Sequence, residues 1–162
     1  MATVKIAYSN STTIDCTLSS LSSSSTLSRS SAFVDNSANL YDDALLYIAI
    51  KVSGTTQAAD KSVFVYIYGA NSGTNFGGST IESVGTDASV NLTNPTNLLG
   101  PVAIATNGTS ATYSQTVPIA QFFGGRMPSK WGFVVRNATK NLLDPIEGEH
   151  VKNYVGVTYT IV

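Results

Sequence analysis

The chain reads as all-β: a two-sheet antiparallel β-sandwich of jelly-roll type with at most one short helix. Three observations predict this. Apolar and polar residues alternate at period two along several segments, those segments are short and regularly punctuated by turn residues, and a helical pattern is confined to five residues. Strands recurring without amphipathic helices between them pair antiparallel and close two sheets over one core. A length of 162 residues suits one domain, 1–162.

The first strand is expected at Thr3 to Tyr8, where Val4, Ile6 and Tyr8 alternate with Thr3, Lys5 and Ala7 as in a half-buried strand. The segment Thr12 to Leu18 is a candidate partner for it. Residues 19–26 (Ser-Ser-Leu-Ser-Ser-Ser-Ser-Thr) hold too few apolar groups to offset the entropy of ordering them, which predicts a flexible Ser-rich loop. A short strand is expected to begin at Ser31-Ala32-Phe33-Val34, followed by a turn over Asp35 to Asn39.

Two segments carry the strongest signal. Along Leu45 to Val52 one face reads Leu46, Ile48, Ile50 and Val52, the face of a core strand, and Ser62 to Tyr68 is almost wholly β-branched and aromatic. Gly69 to Gly78, with Gly73, Gly77, Asn71 and Asn75, reads as a long exposed loop. Further strands are predicted at Ala88 to Leu92, Val102 to Thr106, Ala111 to Val117, Trp131 to Asn137 and Tyr154 to Val162. The one helical turn falls on Ile119 to Phe123, after Pro118 and before Gly124-Gly125. Both ends of the chain are expected within sheets.

Composition excludes several functions. Charged residues are 12% of the chain, hydrophobic residues 43%, and net charge is −1, so there is no basic stripe for nucleic acid and no cationic surface for an anionic membrane. No apolar run approaches the ~20 residues of a membrane helix, and the opening residues lack a secretory pattern, which predicts a protein that stays in the compartment where it is made. Cys16 is alone, so neither an intrachain disulfide nor a cysteine-pair zinc site can form. Sequons at Asn10, Asn91, Asn107 and Asn137 are expected by chance in a chain this rich in Asn, Ser and Thr.

The candidate chemistry is sparse. His150, the only histidine, lies in Glu147-Gly148-Glu149-His150, a cluster that invites a metal or hydrolase reading; Pro145 and Gly148 instead mark a solvated turn before the last strand. Asp35, Asn36, Asn39, Asp42 and Asp43 are the densest set of hard oxygen ligands, yet Asx residues equally bond their own backbone, and the spacing fits no EF-hand. No Gly-x-Ser-x-Gly elbow and no phosphate loop occur. The expectation is no enzyme, no catalytic residue, no bound metal and no cofactor. Trp131, at period two with Phe133 and Val135, belongs in the core, although its ring and that of Phe76 are the candidates for stacking on a sugar. Phe122, Phe123 and Arg126 beside Gly124-Gly125 place two adjacent rings on one short turn, which with Phe76 makes a candidate partner or oligomer interface.

The order of segments resembles a known group. Ser30-Ser31-Ala32-Phe33-Val34-Asp35-Asn36-Ser37, then Leu40-Tyr41-Asp42-Asp43-Ala44 entering the hydrophobic strand, then Val65-Tyr66-Ile67-Tyr68-Gly69 with Gly73-Thr74 after it, is similar to small jelly-roll virion proteins of tailed bacteriophages, of the capsid cement or decoration type. The similar stretch is 28–78. The resemblance implies a non-enzymatic sandwich on the outer capsid surface, made in the host cytoplasm, that forms dimers or trimers and bridges subunits of the major capsid protein. The alternative on the same scaffold is a carbohydrate-binding or receptor-binding module of a tail or head fibre.

Overall fold

The structure is a computed structural model in which residues 3–54, 61–70, 84–92, 98–106 and 110–162 are described. Among them eleven strands occur: β1 (Val4–Tyr8), β2 (Thr12–Thr13), β3 (Leu27–Ser30), β4 (Val34–Asp35), β5 (Asp43–Lys51), β6 (Lys61–Ala70), β7 (Ala88–Asn91), β8 (Leu99–Thr106), β9 (Thr112–Pro118), β10 (Lys130–Asn137) and β11 (Val151–Ile161). Two 3-10 turns complete the regular structure, at Ala120–Phe123 and Glu147–Glu149.

The strands form two antiparallel sheets packed face to face. One runs β1-β11-β5-β9, with β2 also on β11; the other runs β7-β3-β10-β6-β8, with β4 also on β10. Without β2, β4 and β7, eight strands remain, and in chain order they read first-eighth-third-sixth in one sheet and second-seventh-fourth-fifth in the other. That is the strand order of a jelly roll. The predicted fold class holds.

The core lies between the sheets, where period two sets its composition. Leu46, Ile48, Ile50 and Val52 of the first sheet face Val63, Val65, Ile67, Trp131, Phe133 and Val135 of the second, all fully or almost fully buried. The outer face of the second sheet carries a smaller apolar cluster, with Tyr66, Tyr68, Val90, Leu92, Leu98 and Val134.

Four expectations are corrected. The segment Thr12 to Leu18 does not pair with the first strand: Thr12 and Thr13 pair with β11, while Ala32 N–H bonds Asp15 in the other direction, so the segment crosses from one sheet to the other. It keeps the alternation, with Ile14, Cys16 and Leu18 buried, because a crossing chain still turns one face inward. The strand expected at Ser31 to Val34 begins earlier, at Leu27, and breaks at Ser31, whose hydroxyl is spent on the Phe133 N–H and the Ala32 carbonyl. β1, predicted half-buried, is exposed along its whole length. His150 is buried, not solvated.

The Ser-rich segment 19–26 has no helix or strand, as expected for a loop, yet it is fastened at several points. Ser24 N–H bonds Asn137 O, Ser20 N–H bonds Asp144 O, and Ser23 Oγ accepts the Lys140 N–H. The glycine-rich loop beyond Ala70, including Phe76, lies outside the described residues.

Candidate functional site

A polar constellation lies in an open cleft of about 370 Å³ lined by Thr13, Ile14, Asp15, Cys16, Thr17, Asp87, Glu147 and Lys152. It forms where the crossing segment leaves β11 without joining another strand, so the backbone N–H groups of residues 17–19 have no strand to bond. Side chains take that role. Asp87 accepts Thr17 N–H at 2.9 Å and the Thr17 hydroxyl at 2.5 Å, while Glu147 Oε2 accepts Leu18 N–H at 2.8 Å and Ser19 N–H at 2.7 Å. Two carboxylates thus replace a sheet neighbour, meeting the need of every buried N–H for an acceptor.

Each carboxylate is also ion-paired. Arg29 Nε meets Asp87 at 2.6 Å, and the buried Lys152 ammonium, which faces the core side of β11, is neutralised by Glu147 Oε1. Partial burial works against the ionised form of both acids. Hydrogen bonds outweigh it, from Arg29 and Thr17 at Asp87 and from Lys152, Ser19 and Leu18 at Glu147, and hold both carboxyls below their ordinary range. Burial pushes the Cys16 thiol strongly upward, with Asp87 adding to the effect. A thiol held protonated is a poor nucleophile.

The cluster around His150 is built in the same way. Its Nδ1 accepts Lys51 N–H at 3.3 Å, and Nε2 lies 3.1 Å from the Asp144 carbonyl, so both ring nitrogens serve the backbone. The Asp144 carboxylate caps the following turn by accepting Ile146 N–H at 2.9 Å and pairs with Lys51 at 3.3 Å; these contacts lower its pKa. Lys51 also meets Glu149 at 3.4 Å. The imidazole and the acid are adjacent in the fold, but the acid is turned to lysine and backbone rather than to the ring.

The oxygen-rich segment Asp35 to Asp43 is a set of turn clamps. Asn36 holds Tyr41 from both sides, accepting its N–H at 2.9 Å and donating to its carbonyl at 3.1 Å. Asp35 accepts Ser37 N–H, Asp43 accepts the N–H groups of Ala44 and Ala120, and Asp42 accepts Tyr159 N–H. Among the described residues no three His, Cys, Asp or Glu side chains converge as a metal site.

A second cleft, about 330 Å³, is lined by Ser23, Ser24, Ser25, Lys61, Arg136, Ala138 and Lys140: three cations and no acid. Arg136 lies over the Phe64 ring at 4.8 Å and donates to Ser25 O.

Of the interface candidates, Phe122, Phe123 and Arg126 are brought to one end of the sandwich. The 3-10 turn stops at Gly124, whose φ of 68° lets the chain reverse. Both rings are half-buried against the core, and Phe123 covers the strand end at Gly69, where an added Cβ would lie 2.6 Å from its ring; Arg126 is exposed. Phe76 lies outside the described residues. Trp131 is enclosed, edge-on to Tyr154 at 5.5 Å, so it offers no stacking face to a sugar.

Sequence reasoning missed Asp87, and it named Glu147 only in the cluster before His150, without its role as acceptor for Leu18 and Ser19. It also missed an apolar exposure: Val4, Ile6, Tyr8, Tyr159 and Ile161 all stand in solvent on the β1–β11 ribbon. Among the described residues no helix is long and apolar enough to cross a membrane. Comparison with protein families, with characterised proteins and with solved structures finds no match to this chain.

Proposed function

We propose that the protein is a non-enzymatic structural component of a virion, a decoration protein that binds the outer face of a capsid shell and holds neighbouring major capsid protein subunits together. The observation that carries this reading is the division of labour among its side chains. The acids and bases that could have done chemistry, Asp87, Glu147, Asp144, Lys51, Lys152 and His150, hold the chain's own backbone or one another. One exposed face of the ribbon, with Val4, Ile6, Tyr8, Tyr159 and Ile161, is apolar. A shell component needs a rigid scaffold and surfaces that associate by shape and burial, with little dependence on salt. The resemblance of residues 28–78 to jelly-roll cement proteins supports the same reading.

Mixing the purified protein with expanded capsids that lack a decoration protein, followed by sedimentation, tests it. Saturable co-sedimentation that survives 0.5 M salt is expected. Failure to pellet at saturating concentration would overturn the proposal, and saturable binding to a glycan array instead would favour the fibre-module alternative.

A further inference from the structure

β1 and the far end of β11 form a two-stranded ribbon that runs past the sandwich. β5 reaches only as far as Asp43, opposite Val157, so among the described residues, 158–161 of β11 have β1 on one side and no strand on the other. Register decides which side chains share a face. Val4 is opposite Ile161, Ile6 opposite Tyr159 and Tyr8 opposite Val157, so these apolar residues lie together, while Lys5, Ala7, Thr158 and Thr160 lie on the reverse. Val157 is buried; the other five are between 51% and 74% exposed. They continue the outer face of the β1-β11-β5-β9 sheet, which further along carries the exposed Tyr47.

A two-stranded ribbon is at best marginally stable in water, and an apolar face on one adds to the cost. The hydrogen-bond pattern separates two ways of relieving it. Thr3 exchanges both backbone bonds with Val162, and Ser9 N–H bonds Gly156 O, so the odd-numbered residues of β1 point their N–H and C=O groups toward β11. Those of Val4, Ile6 and Tyr8 point outward, along an edge that no described strand pairs with. Water satisfies such an edge well, whereas it offers nothing to five apolar side chains. Face packing is therefore the stronger demand.

We infer that this face packs against the same face of a second copy, forming a two-fold dimer with Ile6, Tyr8 and Tyr159 at its centre. The six side chains of the face are uncharged, and Asp43, opposite Val157 at its border, is engaged by the Ala44 and Ala120 N–H groups, so two copies meet with little repulsion; a self-complementary patch is what a two-fold interface requires. The five residues expose on the order of 500 Å² per copy, so full burial of both faces brings the interface to the ~1,000 Å² lower bound of a specific one. Tyr8 and Tyr159 bring the amphipathic rings that anchor such interfaces. This pairing does not depend on the shell-binding reading.

Sedimentation velocity of the full chain from about 1 to 300 µM tests the inference. A monomer–dimer equilibrium is expected, and Ile6→Lys should weaken it at least about tenfold with far-UV and near-UV circular dichroism unchanged. Thr160→Glu, on the reverse face opposite Lys5, should leave it intact. A monomer at every concentration overturns the inference, as does a dimer indifferent to Ile6→Lys. Hydrogen exchange separates face from edge: protection of the Val4, Ile6 and Tyr8 amides on association would mean edge-to-edge pairing, and would overturn it too. Capsid co-sedimentation is read separately. A dimer that ignores capsids removes only the shell reading, and a monomer that coats them removes only this one.

Discussion

Asn137, at the end of β10, has no exposed surface, and its amide joins the turn that follows it to the Ser-rich loop. Nδ2 donates to Leu21 O at 2.8 Å and to Asn141 O at 2.7 Å, while Oδ1 accepts the N–H and hydroxyl of Thr139. This is where the Ser-rich loop is fixed. Asn137→Ala should destabilise the protein by about 1–3 kcal/mol, because the buried N–H and hydroxyl of Thr139 lose their acceptor and the half-buried Leu21 and Asn141 carbonyls each lose one of two donors; urea denaturation with an unchanged m-value checks it. In sequence, Asn-Ala-Thr offers only a chance sequon. Neither its turn contact with Thr139 nor its long-range partner Leu21, more than a hundred residues earlier, was legible there. The same holds for Glu147 and Asp87: a carboxylate's acceptors are visible in the sequence, whereas the unpaired N–H groups it serves depend on where the sheet ends.

At the scale of elements, core strands were legible and edges were not. Leu46, Ile48, Ile50 and Val52 alternate because one face of β5 is covered on every turn of the pleat, and period two records that directly. Val4, Ile6 and Tyr8 alternate just as regularly, yet β1 is exposed; alternation says that a face is apolar without saying what covers it. Close packing inside the second sheet gives a sharper test. Gly132 lies in mid-β10 opposite Tyr68, and a Cβ added there would overlap the Tyr68 hydroxyl and lie 2.9 Å from Ser31 Oγ. That ring cannot retreat, since it is buried and its hydroxyl donates to Ser31 O at 2.7 Å. Gly132→Ala should therefore cost about 1–3 kcal/mol through overpacking, while Gly148→Ala, with open space around it, should cost little. Thermal melts of the two variants side by side measure the difference.

For the whole molecule, acid is the condition under which the fastenings fail. Asp87, Asp144 and Glu147 all have pKa values below those of free carboxyls. Between the folded and unfolded values the unfolded chain binds more protons, so their contribution is complete above about pH 4.5 and is lost as pH falls through the lower, folded values. The melting temperature should be flat from pH 7 to about 5 and decline below. Glu147→Gln should melt lower at pH 7, with Lys152 left unneutralised, and lose stability less steeply on acidification. The jelly-roll order itself was legible as a class, from strand number and spacing, although the pairing of first strand with last follows from closure of the sheet and from no local signal. That adjacency governs how the protein bears force. Tension applied between Thr3 and Val162, which are bonded partners at the tip of the ribbon, would peel β1 from β11 one rung at a time. A pull spread across the broad side of the sheet would strain many rungs together, so the molecule is mechanically weakest at its paired tips.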